Sequence, residues 1–93
     1  NKLQIGNRKI ALTEQNAIYL DRDNIPDAIV MASPKNNGEL AIKNVSSRTW
    51  TVETPSGKLK TVEPQNLMPV KVGLKIKFGS FGSENYTGEI INQ

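Results

Sequence analysis

The sequence contains no cysteine and no histidine. Without cysteine the chain cannot form disulfides, thiolate zinc sites or thiol nucleophiles, which fits a reducing compartment such as the cytoplasm. Without histidine it cannot assemble a Ser-His-Asp or Cys-His catalytic group, and nearly all zinc sites are excluded as well. The acidic residues fall mostly in predicted turns, and no two are placed to converge in a cleft. We therefore expect a cytoplasmic protein that is not an enzyme and that binds no metal and no cofactor.

Long apolar stretches are also missing. No run approaches the roughly 20 apolar residues that a membrane-spanning helix needs, so we expect no membrane association. The 93 residues are enough for one hydrophobic core, and we expect a single domain over residues 1–93. Because the chain starts at Asn1 and not at methionine, we expect it to be a piece excised from a longer protein.

Helical periodicity is lacking too, and the pattern that remains is that of strands. Leu74, Ile76 and Phe78 alternate with Lys75 and Lys77, as in a strand with one buried face. Shorter stretches of the same kind lie at residues 2–5, 9–12, 17–20, 28–32, 39–45, 50–54, 58–62, 67–72 and 89–91. Many short strands separated by turns predict an all-β sandwich or barrel with little or no helix. The glycine-rich residues 79–88 are predicted to form a flexible loop.

The tryptophan hairpin gives the clearest local expectation. Trp50 and Val52 precede the turn at residues 55–57, and Leu59 and Val62 follow it. We expect all four side chains to point into the core.

The whole chain has a net charge of +3, and five lysines alternate with apolar residues in its second half. We expect them on the outer face of one sheet, where such charges keep strands soluble. They are Lys58, Lys60, Lys71, Lys75 and Lys77. A nucleic-acid track would also need exposed aromatic side chains for stacking. The chain has five aromatic residues, and we expect three of them, Trp50, Phe78 and Tyr19, in the interior. A small basic β domain that binds nucleic acid through this face is thus an alternative and not the main expectation.

The polar stretch Ser46–Thr49 lies between two predicted strands and has two interpretations. Its hydroxyls can bond the neighbouring backbone in a tight turn. Alternatively, its hydroxyls, its amides and the guanidinium of Arg48 can bind a ligand. The local sequence does not choose between them.

The order of segments over residues 39–79 resembles that of forkhead-associated (FHA) domains. Their pattern is approximately Asp-Leu-x-Ser-x-Asn-Gly-Thr, followed later by Leu-x-x-Gly-Asp-x-Ile-x-x-Gly. Asn44, Val45 and Ser47 take the aspartate, leucine and serine positions of the first motif. The later motif is matched approximately by Val70, Gly73, Ile76 and Gly79.

Several positions depart from the family pattern. Thr49-Trp50 stands where the family has Asn-Gly, and Asp21-Arg22 stands where it has Gly-Arg. The family's histidine has no counterpart. Since phosphate recognition depends on several converging charge-assisted hydrogen bonds, the resemblance implies phosphothreonine recognition that is weakened or lost.

The resemblance implies an FHA-like antiparallel β-sandwich that acts as a protein-interaction module. Its partner would be a protein or phosphopeptide, bound where residues 22–24, 35–37 and 46–49 meet at one end of the sandwich. The candidate site residues are Arg22, Lys35, Asn37, Ser46, Ser47, Arg48 and Thr49. A third possibility is a structural or self-associating domain, and the oligomeric state is left open.

Overall fold

The computed structural model of the chain describes residues 1–21, 24–81 and 84–93. Within these residues it contains ten strands and no helix. The strands are β1 (Lys2–Ile5), β2 (Arg8–Ala11), β3 (Ala17–Ile18), β4 (Ala28–Ala32), β5 (Leu40–Asn44), β6 (Trp50–Glu53), β7 (Leu59–Val62), β8 (Leu67–Pro69), β9 (Lys75–Phe81) and β10 (Glu84–Ile91).

The strands form two antiparallel sheets. The larger sheet has the order β2-β1-β10-β9-β6-β7, and the smaller has the order β3-β4-β5-β8. Buried side chains of both sheets, such as Ile76 from β9 and Ile42 from β5, belong to one hydrophobic cluster. The prediction of an all-β sandwich is confirmed.

The core is built by period-2 alternation along the strands. Trp50 and Val52 of β6, and Ile76 and Phe78 of β9, are buried as the sequence pattern predicts. The Trp50 and Phe78 rings meet edge to face, with their centroids 5.0 Å apart and their planes at 80°. Such pairs add about 0.5–1.5 kcal/mol to the stability gained from area burial alone. This pair therefore fixes β6 against β9 in the middle of the larger sheet.

Leu59 is the exception in the tryptophan hairpin, and its predicted burial is wrong. In the β6–β7 register Val52 lies opposite Lys60 and Trp50 lies opposite Val62. Lys60 and Val62 therefore share the inward face, and Leu59 takes the outer face, where it is 63% exposed.

The glycine-rich region after Phe78 is also different from the prediction. Residues 79–81 complete β9 and residues 84–88 begin β10, while residues 82–83 lie outside the described part of the chain. The register shifts between Tyr86 and Thr87, as at a β-bulge. Gly88 is needed in this strand because a Cβ atom there would lie 2.8 Å from Leu3 Cδ1. Glycine thus allows close packing of a paired strand here and does not indicate a loop.

The two ends of the sandwich carry different connections because neighbouring strands run in opposite directions. In the β4–β5 pair Ala28 lies opposite Asn44, and Ala32 lies opposite Leu40. The β3–β4 and β5–β6 connections therefore share one end, which we call the Asn44 end. The β4–β5 connection, which holds Lys35, lies at the opposite end, which we call the Lys35 end. The length of β4 separates the two ends by about 13 Å, at about 3.3 Å per residue.

Candidate functional site

The loop after β5 is organised by the side chain of Asn44, which is completely buried. Its Nδ2 group donates hydrogen bonds to the carbonyl oxygens of Arg48, at 2.7 Å, and Val62, at 2.9 Å. Its Oδ1 atom accepts from the backbone N–H of Ser46, at 3.0 Å, and from the Ser46 hydroxyl, at 2.6 Å. One amide therefore holds both sides of the loop and also ties it to the edge strand β7.

The backbone of Asn44 extends this network to the β7–β8 connection. The Asn44 N–H donates to the carbonyl oxygen of Asn66 at 2.9 Å, and the Gln65 N–H donates to the Asn44 carbonyl oxygen at 2.6 Å. Gln65 has a positive φ of 74°, a conformation that costs free energy in a non-glycine residue. The hydrogen bond to Asn44 offsets part of that cost and fixes the turn.

The Ser46 hydroxyl is used inside the loop. Besides donating to Asn44, it accepts the backbone N–H of Arg48 at 3.2 Å. The first of the two interpretations of Ser46–Thr49, a turn whose hydroxyls bond locally, therefore holds for Ser46. Ser47 and Arg48 are exposed, so the same turn presents them to solvent.

Thr49 connects the loop to an acidic residue. Its Oγ1 atom donates to Glu63 Oε2 at 2.8 Å. This bond uses the threonine hydroxyl and brings a carboxylate to the Asn44 end. A negative charge at this position opposes the binding of a second anion.

Arg48 reaches from the loop toward β9. A Cβ atom built on Gly79 would lie 3.8 Å from Arg48 Nη1 and 4.0 Å from its Cδ atom. The guanidinium thus lies over the backbone of the larger sheet at the Asn44 end, close to the position where β9 and β10 meet.

The β3–β4 connection lies beside this loop. The Val45 N–H donates to the carbonyl oxygen of Asp27 at 3.1 Å, and Asp27 Oδ2 accepts the Leu20 N–H at 2.9 Å. Ile25 in this connection is 73% exposed, and Tyr19 is 41% exposed. The two connections are therefore neighbours at the Asn44 end, where Ile25, Tyr19 and the Ser47–Arg48 turn are all exposed.

Arg8 of β2 supports the β3–β4 connection from the larger sheet. Its Nη2 group donates to the Tyr19 carbonyl oxygen at 2.8 Å, and its Nη1 group donates to the Leu20 carbonyl oxygen at 3.3 Å. Sequence reasoning missed Arg8 and Ile25, and the expectation that Tyr19 lies in the interior is wrong, because it is 41% exposed. The signal for Ile25 was available, because an isoleucine between Asn24 and Pro26 is an apolar residue in a predicted loop.

Four of the seven predicted site residues lie together, and they form the stretch Ser46–Thr49 at the Asn44 end. Lys35 and Asn37 do not lie there. They belong to the β4–β5 connection at the Lys35 end, where the Lys35 N–H donates to Ser33 Oγ at 3.4 Å. The prediction that all three loops meet at one end is therefore wrong for Lys35 and Asn37. Their loop and the 46–49 loop lie at opposite ends of the strand β5 that connects them. Arg22 lies outside the described residues.

The predicted lysine face is present only in part. Lys75 and Lys77 occupy alternate positions on the outer face of β9, and the Cα partners of Lys75 are Glu53 on one side and Glu89 on the other. Opposite charges directly across a sheet attract each other, so the charge of Lys75 is balanced within the sheet.

The other three lysines lie elsewhere. Lys60 shares the inward face of the larger sheet with Val52, while Lys58 and Lys71 lie in connections at the Lys35 end. The prediction of five lysines on one outer face is therefore wrong for these three. For Lys60 the cause is the register of β7, because Lys60 and the buried Val62 have the same parity, while Lys58 and Lys71 lie outside the strands.

Among the described residues, no group of three acidic residues is placed to hold a metal ion. Nor do those residues form a helix of the length and apolar character that crossing a membrane would require. Comparisons with protein-family models, with curated proteins and with solved structures find no match to this chain.

Proposed function

We propose that this β-sandwich is a non-catalytic protein-interaction module of FHA-like type, and that it binds a partner protein at the Asn44 end. The binding surface comprises the Ser47–Arg48 turn and the neighbouring β3–β4 connection with Ile25. Recognition of phosphothreonine is weakened or lost in this proposal.

The observation that carries the proposal is the completely hydrogen-bonded, buried side chain of Asn44. It fixes the loop conformation while Ser47 and Arg48 face solvent. A loop that is already ordered loses little conformational entropy when a partner binds, which favours affinity. The exposed Ile25 beside it supplies apolar contact area of the kind that protein partners use.

The hydrogen bonds of the loop hydroxyl groups favour a low affinity for phosphate. The Ser46 hydroxyl is bonded to Asn44, and the Thr49 hydroxyl is bonded to the Glu63 carboxylate. A dianionic phosphate would have to compete with the first bond and approach the carboxylate in the second. Of the charge-assisted contacts that such a ligand requires, Arg48 supplies one. The site is thus better suited to an unphosphorylated partner than to a phosphopeptide.

The nucleic-acid alternative has less support. Lys75 is balanced by two glutamates, and Trp50 and Phe78 are buried, so neither of these two rings is available to stack a base beside the lysines of the larger sheet.

The proposal is tested by amide chemical shifts of the ¹⁵N-labelled chain during titration with a degenerate peptide library that has a central phosphothreonine. The same library after dephosphorylation is the comparison. We expect shifts at residues 24–27 and 46–49 with both libraries. Arg48→Ala should reduce them, and Lys35→Ala, which removes a cation at the opposite end, should leave them unchanged.

Two results would contradict the proposal. Shifts that avoid residues 24–27 and 46–49 would show that the Asn44 end is not the interface. Shifts that vanish on dephosphorylation would show that phosphate recognition is intact, which is the opposite of what the Ser46 and Thr49 hydrogen bonds predict.

A further inference from the structure

Strand β7 is the edge strand next to β6 in the larger sheet, and some of its hydrogen-bonding groups are directed away from β6. The Thr54 N–H bonds the Lys58 carbonyl oxygen at 2.9 Å, which sets the alternation along the β6–β7 pair. Lys60 and Val62 therefore bond β6, and the N–H and C=O groups of Leu59 and Thr61 point outward. An extended chain can pair with these four groups without displacing any bond of the sandwich.

A groove of about 470 Å³ runs along the inward side of this edge, between β7 and the edge strand β8 of the smaller sheet. Its floor consists of the buried side chains of Val52, Val62, Met68 and Leu74. Apolar side chains of an added strand can therefore reach the hydrophobic core between the two sheets.

The rim of the groove combines apolar and basic residues. Val72 is 51% exposed and Leu67 is 37% exposed, and both line the groove together with Lys60 and Lys71. Among the residues that the structure describes, no acidic one lines the groove. The charge of the groove is thus positive, and a bound segment is favoured if it carries acidic side chains among apolar ones.

The groove has one suitable edge. In β8, Pro69 has no N–H group, so that strand cannot offer a regular ladder to a new neighbour. Self-pairing of two β7 strands would bring Lys58 and Lys60 of one copy close to those of the other, and like charges across a strand pair repel. Both arguments favour a partner segment paired with β7.

We propose that β7 and its groove bind an extended segment of a partner protein by strand addition, and that this segment is apolar and acidic. Its side chains opposite Leu59 and Val62 are apolar, and the side chain opposite Lys60 is acidic, because directly opposite residues contact each other. This surface is separate from the Ser47–Arg48 turn, so either one can bind while the other does not.

The test is a selection of displayed random peptides against the wild-type chain. Calorimetry then compares the affinity of the selected peptides for the Thr61→Pro variant with their affinity for the wild-type chain. The Thr61 N–H points outward, so proline at this position removes no bond within the sandwich but blocks the new ladder. Ala11→Pro is the matched control, since the Leu12 N–H bond to the Asn1 carbonyl oxygen implies that the Ala11 N–H also points outward, at the opposite edge of the same sheet.

We expect enriched peptides that combine apolar and acidic residues, with chemical shifts at residues 58–62 and 67–72. Thr61→Pro should lower the affinity for these peptides roughly tenfold or more, because a buried carbonyl group of the peptide loses its donor. Ala11→Pro should leave the affinity for them unchanged. The doubly substituted chain Lys60→Glu, Lys71→Glu should also lose them, which gives a second test if Thr61→Pro does not fold.

The proposal is overturned if no peptide is enriched, if Thr61→Pro binds as tightly as wild type, or if the enriched peptides are basic. A concentration-dependent dimer that Thr61→Pro abolishes would also overturn it, in favour of a second copy of the chain as the occupant. Binding confined to residues 46–49 would overturn it while supporting the function proposed for the Asn44 end.

Discussion

Replacing Asn44 by alanine should be among the most costly single changes in this chain. The Val62 carbonyl oxygen would lose its side-chain donor but keep its bond to β6, so this loss costs about 0.5–1.5 kcal/mol. The Arg48 carbonyl oxygen and the two Ser46 groups are closer to solvent, and each lost bond there costs about 0.5–1.5 kcal/mol. We expect the free energy of unfolding to fall by about 2–6 kcal/mol in total for the four lost bonds.

Urea denaturation of the purified variant measures this loss directly. For a domain of this size, 4 kcal/mol corresponds to a decrease in Tm of roughly 20 °C. Asn44→Asp, which keeps the shape but cannot donate to either carbonyl oxygen as a carboxylate, should be at least as unstable. Thr49→Ala, which removes the exposed bond to Glu63, should cost less than about 1 kcal/mol. An Asn44→Ala loss as small as the Thr49→Ala loss would refute the reasoning.

Four further substitutions test the packing and the charges by the same denaturation measurement. Gly73→Ala should cost about 1–3 kcal/mol, because φ is +96° and the new Cβ would lie 2.9 Å from Pro55 Cγ. Gly57→Ala, with φ of +89° and open space, should cost less, and equal losses would contradict the contact argument. Gly88→Ala should cost about 1–3 kcal/mol by overpacking the core, and an unchanged midpoint would show that β10 can shift away. Lys75→Glu puts three carboxylates in a row across the larger sheet, so it should destabilise by up to about 1 kcal/mol, less at high salt, and a salt-independent loss would exclude charge repulsion.

Strand positions and much of the core could be predicted because side-chain alternation is a local property. Leu74, Ile76 and Phe78 alternate with exposed lysines, and all three are buried. Leu59 could not be placed in this way, since its face depends on the register that the 54–58 turn imposes on β7. Alternation gives the spacing of a strand's two faces, whereas the turn decides which of them is inward.

The error over Lys35 and Asn37 has a different cause, and the sequence contained the information to avoid it. Their loop and the Ser46–Thr49 loop are separated by one strand, and consecutive antiparallel strands place successive connections at opposite ends. Counting strands between the loops would have paired residues 19–27 with residues 45–49, as the hydrogen bond between Val45 and Asp27 shows.

The role of Asn44 could not be predicted from local pattern, because its partners Val62 and Asn66 are distant in sequence. Asparagine at the end of a strand is typical of a turn, and turn asparagines are usually exposed, so nothing in the sequence indicated that Asn44 is buried. The groove beside β7 was equally hidden, because it depends on which strands end up as edges of two different sheets.

The position of Asn44 has a consequence for how the domain comes apart. β5 belongs to the smaller sheet, while β6 and β7 belong to the larger one, so this residue stands where the chain crosses between layers. If the edge strand β7 detaches, the Asn44 side chain loses the Val62 carbonyl oxygen as an acceptor. The same side chain holds the 45–49 connection in shape through Ser46 and Arg48. Fraying of β7 and loss of the 45–49 connection are therefore one cooperative event, and separation of the two sheets begins there.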